Sequence, residues 1–322
     1  MNSQFFQNIL FNIEKNFFNL KNIDKMNKHV FIFGLARSGT TILLNSLYST
    51  NEYASTLYKD MPFVLSPNFW SKINIKQSKD IKKAERLHKD NILIDLNSPE
   101  ALDEIFWKFI LKNSYIKSNY LAKHTLKENE LYNFTIFIEA YLKKYNKERY
   151  LSKNNNNILR CESLIKFFKN SKFLIVFRKP NFHVKSLYEK HLDFKKIQLK
   201  DPFVEKYMNF LGHHEFGFGH KIFDFSNNSK NNYDLNNASY WIDLWKNYYT
   251  FSLKFKGYNN VMFLSYEKFC SDPFRYVNSI NEKDNNNDFS QIIENKNLKF
   301  DENFSDQEAN NIYEELLLLD KF

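Results

Sequence analysis

Cysteine is nearly absent: Cys161 and Cys270 are the only two in 322 residues, and no Cys-x-x-Cys spacing exists. That excludes a disulfide framework and makes a reducing compartment the default. No apolar run approaches the ~18 residues of a membrane-spanning helix. The N-terminus lacks the continuous apolar core and small-residue cleavage site of a secretory signal, so a soluble, cytoplasmic protein is expected. Arginine is equally scarce. Of the 46 basic residues only Arg37, Arg86, Arg149, Arg160, Arg178 and Arg275 are arginines. The net charge of +9 is therefore made of lysine, in a chain also rich in Asn, Ile and Phe. AT-rich codon usage produces that mixture without functional demand, so scattered lysines on solvated helix faces outweigh a nucleic-acid patch and no nucleic-acid partner is expected.

Glycine is the third scarcity, with Gly34, Gly39, Gly212, Gly217, Gly219 and Gly257 making up the total of six. A chain this poor in glycine places it where the backbone needs unusual dihedrals or close approach. With 43% apolar and 26% charged residues the composition is globular, and the length suits one α/β unit with added helices.

Apolar residues at Phe5, Phe6, Ile9, Leu10, Ile13, Phe17 and Leu20 recur with a helical period. Residues 1–28 are thus expected to form an amphipathic helical extension that packs on the remainder or touches a membrane surface. Residues 29–322 show no repeat and no internal boundary, and are expected to form a single domain. Short apolar runs at His29–Phe33, Lys172–Phe177 and Val261–Leu264 read as strands, with Tyr150–Ser152 as a shorter one. Helices are expected over Thr40–Tyr48, Pro99–Lys112 (capped by Ser98), Glu128–Tyr145, Ile158–Lys169, Pro180–Leu192, Val204–Leu211, Ala238–Phe255 and Gln307–Leu319. Residues 51–95 read as loops and short helices. Strands alternating with helices imply a three-layer α/β/α fold around a parallel sheet.

The strongest signal is Gly34-Leu35-Ala36-Arg37-Ser38-Gly39-Thr40-Thr41, between the first strand and the following helix. A Gly-flanked turn exposes successive backbone N–H groups, and the helix N-terminus adds unpaired donors and a positive dipole end. The glycine spacing equals that of the nucleotide-triphosphate loop G-x-x-x-x-G-K-[ST], yet Thr40 stands where the lysine belongs. That lysine reaches β- and γ-phosphates, so its loss argues against ATP or GTP. A cation has moved inside the loop, at Arg37. At the second strand end, where a nucleotide hydrolase carries an Asp for Mg²⁺, the chain has Arg178-Lys179-Pro180, with Ser186 eight residues further on. Two anion sites with no magnesium ligand between them are implied.

The segments FIFGLARSGTTILLNSLYST and FLIVFRKPNFHVKSLY resemble the 5′-phosphosulfate loop and 3′-phosphate motif of sulfotransferases that use 3′-phosphoadenosine 5′-phosphosulfate (PAPS). Ser265-Tyr266-Glu267-Lys268-Phe269 with Ser271-Asp272-Pro273 resembles the family's third landmark. The resemblance spans about His29 to Pro273 and is closest to bacterial members that modify carbohydrates. It implies a P-loop-like domain that moves a sulfuryl group from PAPS to a hydroxyl, on a glycan or small molecule, without metal. Arg37 would face the bridging oxygen that gains charge, and Ser38, Gly39, Thr40 and Thr41 would grip the 5′-phosphate. Arg178 and Ser186 would hold the 3′-phosphate, with Tyr266 near the adenine. Lys153 stands where many relatives place a lysine on the transferring group, although an Asn-rich surface loop competes for Lys153–Asn157.

A hydroxyl acceptor also needs a proton acceptor. One branch of the family has His two residues after that lysine, and here the position is Asn155. Another has Glu some twenty residues after the loop arginine, where Asp60 is nearest. His88 is the second candidate. His213-His214-Glu215 between glycines suggests a metal weakly, since neighbours on a helix diverge by about 100°. An acceptor-pocket or structural role suits that turn better. A P-loop kinase or NTPase with an atypical loop, and a non-enzymatic basic protein binding membrane or nucleic acid, are the alternatives.

Overall fold

The computed structural model describes residues 4–20, 28–73, 84–85, 93–226, 234–282, 289 and 306–322. Helix α1 (Gln4–Phe17) precedes strand β1 (Val30–Gly34), every residue of which is buried, and β1 runs into α2 (Thr40–Ser49). Two-residue strand β2 (Tyr53–Ala54), helix α3 (Pro67–Ile73) and an antiparallel pair, β3 (Ala84–Glu85) with β4 (Leu93–Ile94), follow. Next come α4 (Asp103–Ile110), β5 (Tyr120–Ala122), α5 (Glu128–Tyr145), β6 (Arg149–Lys153), α6 (Cys161–Phe167) and β7 (Lys172–Phe177). The long α7 (Pro180–Lys200) leads to α8 (Pro202–Leu211), β8 (Ile222–Asp224), α9 (Ala238–Ser252) and β9 (Val261–Ser265). Helices α10 (Tyr266–Ser271), α11 (Pro273–Asn281) and α12 (Gln307–Leu319) complete the order.

The central sheet is parallel throughout, in the order β2–β6–β1–β7–β9. Side chains alternate between faces along a strand, and this sheet splits them into two cores. Phe31, Phe33, Phe173, Ile175, Phe177 and Phe263 join the side chains of α4, α5, α7 and α9. Val30, Ile32, Leu174, Val176 and Leu264 meet Leu43, Leu44 and Leu47 of α2 and Tyr276, Val277 and Ile280 of α11. Because both faces are covered, the strands are apolar runs rather than alternating ones, as buried parallel sheets require. The result is the three-layer α/β/α fold that the alternating pattern implies.

Helix α1 lies against the domain. The Glu14 carboxylate accepts the N–H groups of Asn68 and Phe69 at 3.0 Å and so caps α3, while Phe11 meets the rings of Phe106 and Phe109. Phe5 and Phe17 stay exposed on its other side.

Several boundaries differ from the sequence expectation. The helix expected from Pro99 starts at Asp103: Ser98 is taken by a local turn with Asp95, and Pro99 bridges the extended Leu57. Helix α7 continues past Leu192 to Lys200 because buried His191, Phe194 and Gln198 anchor its last turns. The stretch expected to be helical from Ile158 is a 3₁₀ segment, Asn155–Arg160, before α6 begins at Cys161. Within 51–95, β2 adds an edge strand too short to show a period. No helix among the described residues is long and apolar enough to cross a membrane.

Candidate active site

The chain leaves β1 through α2 toward β2 and β6, and leaves β7 toward β9. Adjacent strands whose connections depart in opposite directions open a crevice at their carboxyl ends, the usual ligand position in such sheets. The register aligns those ends. Ile32 pairs with Lys153, Gly34 with Val176 and Phe177 with Ser265. Lys153, the loop after Gly34, Arg178 and Tyr266 therefore emerge along one edge of the sheet.

The loop needs both of its glycines. A Cβ on Gly34 would lie 2.4 Å from the Val176 carbonyl oxygen and 2.6 Å from Ser38 Oγ. Gly39 has φ +102°, and a Cβ there would lie 2.3 Å from the Tyr266 ring. Between them Arg37 adopts φ +71°, a left-handed conformation uncommon for non-glycine residues and often found at functional sites. Gly39 is also the N-cap of α2 and brings no side-chain cap, whereas Asp201, Asn237, Asp272 and Asp306 cap α8, α9, α11 and α12. The opening turn of α2, which carries Thr40 and Thr41, therefore receives no side-chain cap from its N-cap residue, and a helix start of that kind suits an anion. Gly39→Ala should impose a strained φ and displace Tyr266. Stability is expected to fall by about 1–3 kcal/mol. An unchanged denaturation midpoint would mean that the loop accommodates the methyl group without strain.

The residues singled out in the sequence touch one another. Arg37 Nε donates to Ser186 Oγ at 3.2 Å, and Arg178 Nη1 donates to the Arg37 carbonyl at 3.4 Å. The Arg178 guanidinium lies 4.8 Å from the centre of the Tyr266 ring that covers Gly39, a cation–π distance. Arg37, Gly39, Arg178, Ser186 and Tyr266 thus form one contiguous group, although 229 positions separate the first from the last in sequence.

Three supporting residues, His183, Trp245 and Glu267, were given no role in sequence, although Glu267 stands in the Ser265–Phe269 landmark. His183 Nε2 lies 2.7 Å from the Ala36 carbonyl, and Trp245 Nε1 donates to His183 Nδ1 at 3.1 Å. An indole N–H can only donate, so Nδ1 accepts and the His183 proton sits on Nε2, fixing the loop carbonyl. Burial lowers the His183 pKa to about 3, which keeps the ring neutral. Glu267 accepts the Lys179 N–H at 2.9 Å and the Ser265 and Tyr313 hydroxyls at 3.2 Å. It ties the end of β9 to the start of α7. His183 was discoverable in principle, since it lies one helical turn before Ser186.

Lys153 ends β6 on the same edge. The stretch after it is no surface loop: Asn154, Asn155, Asn156 and Asn157 are buried. The Asn154 N–H donates to the Ile32 carbonyl at 2.9 Å and its side chain to Glu104 at 2.7 Å. Asn156 Nδ2 donates to the Gly212 carbonyl at 3.1 Å. Asp60 lies in a different network. Fully buried, it accepts Lys144 Nζ at 2.6 Å, the Tyr145 hydroxyl at 2.8 Å and the Leu57 N–H at 2.7 Å. No hydrogen bond connects it to the loop group among the described residues. His88 lies outside the described residues.

Beside the loop, a small cavity is lined by Leu35, Ala36, Asn156, Leu187, His214 and His220 together with Leu121, Glu215, Lys221, Phe223 and Leu244. The turn from Gly212 is docked here by Asn156 and by Lys108, whose Nζ donates to the Phe210 carbonyl at 3.0 Å. His213 Nε2 lies 3.3 Å from the Ala101 carbonyl and His214 Nδ1 lies 3.1 Å from that of Gly219, so the neighbouring rings diverge. Among the described residues, no three His, Cys, Asp or Glu side chains are grouped so as to hold a metal ion.

A family profile described as the sulfotransferase family matches residues 29–283. No curated protein matches the chain. Among solved structures, a sulfotransferase from Mycobacterium tuberculosis is similar with a TM-score of 0.54 and 8% identity, over 97% of this chain and 81% of that one. A sulfotransferase from Mycobacterium avium matches with a TM-score of 0.43 and 10% identity, over 91% and 68% of the two chains. One from Alicyclobacillus acidocaldarius matches with a TM-score of 0.37 and 12% identity, over 90% of each. The first of these supports the fold; the other two superpose too loosely to add to it. With a Gly-bounded loop at the carboxyl end of β1, a basic strand end beside it, and a family match across most of its length, this chain belongs to the sulfotransferase family.

Proposed function

We propose that this sulfotransferase takes its sulfuryl group from PAPS and delivers it to a hydroxyl acceptor by direct, metal-independent transfer. The observation that carries the proposal is the contact of Arg37 with Ser186 and of Arg178 with the Arg37 carbonyl, which joins two anion-binding elements from neighbouring strands. The residues present suit a doubly anionic adenosine. The uncapped start of α2 and the loop cradled against Val176 fit one phosphate, Arg178 and Ser186 fit a second, and the Tyr266 ring fits a base. PAPS, when bound, supplies the sulfuryl group and a leaving bisphosphate.

Each residue then has a role set by its chemistry. The loop N–H groups with Ser38, Thr40 and Thr41 orient the 5′ end. Arg37 and Lys153 present fixed cations where charge develops on the bridging oxygen. Arg178 offers a planar fork to the 3′-phosphate. Independence from divalent metal is supported by the residue at the end of β7. A guanidinium stands where a nucleotide hydrolase needs a carboxylate, and it repels Mg²⁺. Calorimetry should find tight binding of 3′,5′-adenosine bisphosphate, unchanged by Mg²⁺ or EDTA. Binding of ATP–Mg²⁺ in its place would sink the proposal.

For the acceptor, the resemblance points to carbohydrate. The cavity beside the loop pairs apolar Leu35, Ala36, Leu121, Leu187, Phe223 and Leu244 with polar Asn156, His214, Glu215, His220 and Lys221, a lining that also suits a hydroxyl borne on an apolar framework. Sulfate transfer from labelled PAPS to oligosaccharides and to phenols, measured side by side, decides between them.

A further inference from the structure

We propose that His214, on the turn after α8, takes the proton of the acceptor hydroxyl through its Nε2 in the cavity beside the phosphate loop. The inference rests on the sulfotransferase reading above and names the proton acceptor that neither Asn155 nor Asp60 supplies.

Three observations converge on this residue. First, place: His214 lines the same cavity as Leu35 and Ala36 of the loop and Leu187, the neighbour of Ser186. Second, tautomer: Nδ1 lies 3.1 Å from the Gly219 carbonyl oxygen. A carbonyl only accepts, so Nδ1 carries the proton and Nε2 holds a lone pair. Third, availability: His214 is 94% buried, and its Nε2 has no hydrogen-bond partner among the described residues. Leaving a buried acceptor unpaired is unfavourable, and a hydroxyl entering the cavity would relieve it.

The other histidine in the cavity fails the third condition. His220 Nδ1 faces the Glu215 carbonyl at 2.7 Å and its Nε2 lies 2.6 Å from the Tyr240 hydroxyl, so both nitrogens are engaged. The turn that carries His214 is fixed in place. Gly212 (φ +78°) packs on Glu104, Gly217 (φ +77°) packs on Gln198, and Gln198 Oε1 accepts the Phe218 N–H at 2.8 Å. Burial holds the His214 pKa near 4, with Lys221 and Lys108 lowering it and Glu215 raising it among the charged groups that face the ring. The imidazole is therefore neutral, and able to accept, throughout the physiological range.

The step balances. The acceptor oxygen bonds to sulfur as the bond between sulfur and the phosphate oxygen of PAPS breaks. The electron pair of that bond leaves with the adenosine bisphosphate. The hydroxyl proton passes to His214 Nε2 and is released to solvent afterwards.

His214→Asn tests this, because its amide can still donate to the Gly219 carbonyl but has no counterpart of Nε2. Transfer from PAPS to phenol should fall about 10²–10⁴-fold. Transfer to 4-nitrophenol at pH 8, where that acceptor is already ionised, should fall less than tenfold. Affinity for 3′,5′-adenosine bisphosphate and the melting temperature should stay near wild type. Nitrogen NMR of the wild-type ring at pH 7 should show the proton on Nδ1. Equal losses with both phenols, undiminished transfer to phenol, or a ring protonated on Nε2 would overturn the inference while leaving the PAPS assignment intact. A wild-type protein that fails to bind the bisphosphate would instead overturn the PAPS assignment.

Discussion

Replacing Arg178 with alanine should weaken 3′,5′-adenosine bisphosphate about 10²-fold and 5′-AMP no more than a few-fold. A guanidinium–phosphate pair is a charge-assisted, bidentate interaction, and losing one within a partly enclosed site costs about 3 kcal/mol, or roughly two decades in Kd. On the proposed assignment, the nucleotide without a 3′-phosphate makes no such pair and loses only the indirect support that Arg178 gives the loop through the Arg37 carbonyl. Arg178→Lys keeps the charge but not the planar fork, so it should recover part of the affinity. Calorimetry with both nucleotides reads the difference. Equal losses for the two would mean that Arg178 serves the loop rather than the second anion.

Glu104→Ala should cost about 3–5 kcal/mol of stability, because it strands a buried guanidinium. Arg160 is 1% exposed and donates to both Glu104 carboxylate oxygens, at 2.8 and 3.1 Å, and its guanidinium carbon lies within 5.1 Å of the Trp107 and Tyr115 ring centres. The Tyr115 hydroxyl and Asn154 donate to the same carboxylate. In a domain of this size a loss of that kind lowers the melting temperature by about 10 °C. Burial alone would raise the Glu104 pKa, yet the Arg160 charge and the hydroxyl and amide donors bring it below the usual carboxylate value. The sign follows from linkage. The contribution is present above the unfolded pKa and lost as pH falls through the lowered folded pKa. Wild type should therefore lose more stability than the variant on acidification below about pH 4.5. A melting temperature within 2 °C of wild type would remove Glu104–Arg160 from any account of how the Lys153–Asn154 segment is held.

The strand–loop–helix unit at 30–49 and the basic end of β7 were legible because glycine and arginine are so rare here that their positions stand out. The two-core sheet followed from apolar runs whose length only a buried parallel strand explains. What could not be read were features set by contacts distant in sequence. Nothing local distinguishes Glu104 from any acid in the first turn of a helix, and it matters because Asn154 and Arg160 fold onto it from 50 and 56 positions away. The Asn-rich stretch after Lys153 has the composition of a surface loop, yet it is buried beside the β1 end. Asp60 was sought by its distance in sequence from Arg37. Three-dimensional placement instead gives its carboxylate to Lys144 and Tyr145 of α5. The divergence of His213 and His214 was expected from their adjacency, but the carbonyls of Ala101 and Gly219 that each ring faces become visible only once the turn is built.

Arg37 and Arg178 leave from neighbouring strands, β1 and β7, held in register from Val30↔Lys172 to Gly34↔Val176. Main-chain hydrogen bonding sets the interval between such strands at about 4.8 Å whatever side chains they carry. The carboxyl ends of β1 and β7 are therefore spaced like the jaws of a caliper whose opening is ruled by the backbone. Exchange of surface residues for lysine or asparagine leaves that gauge untouched.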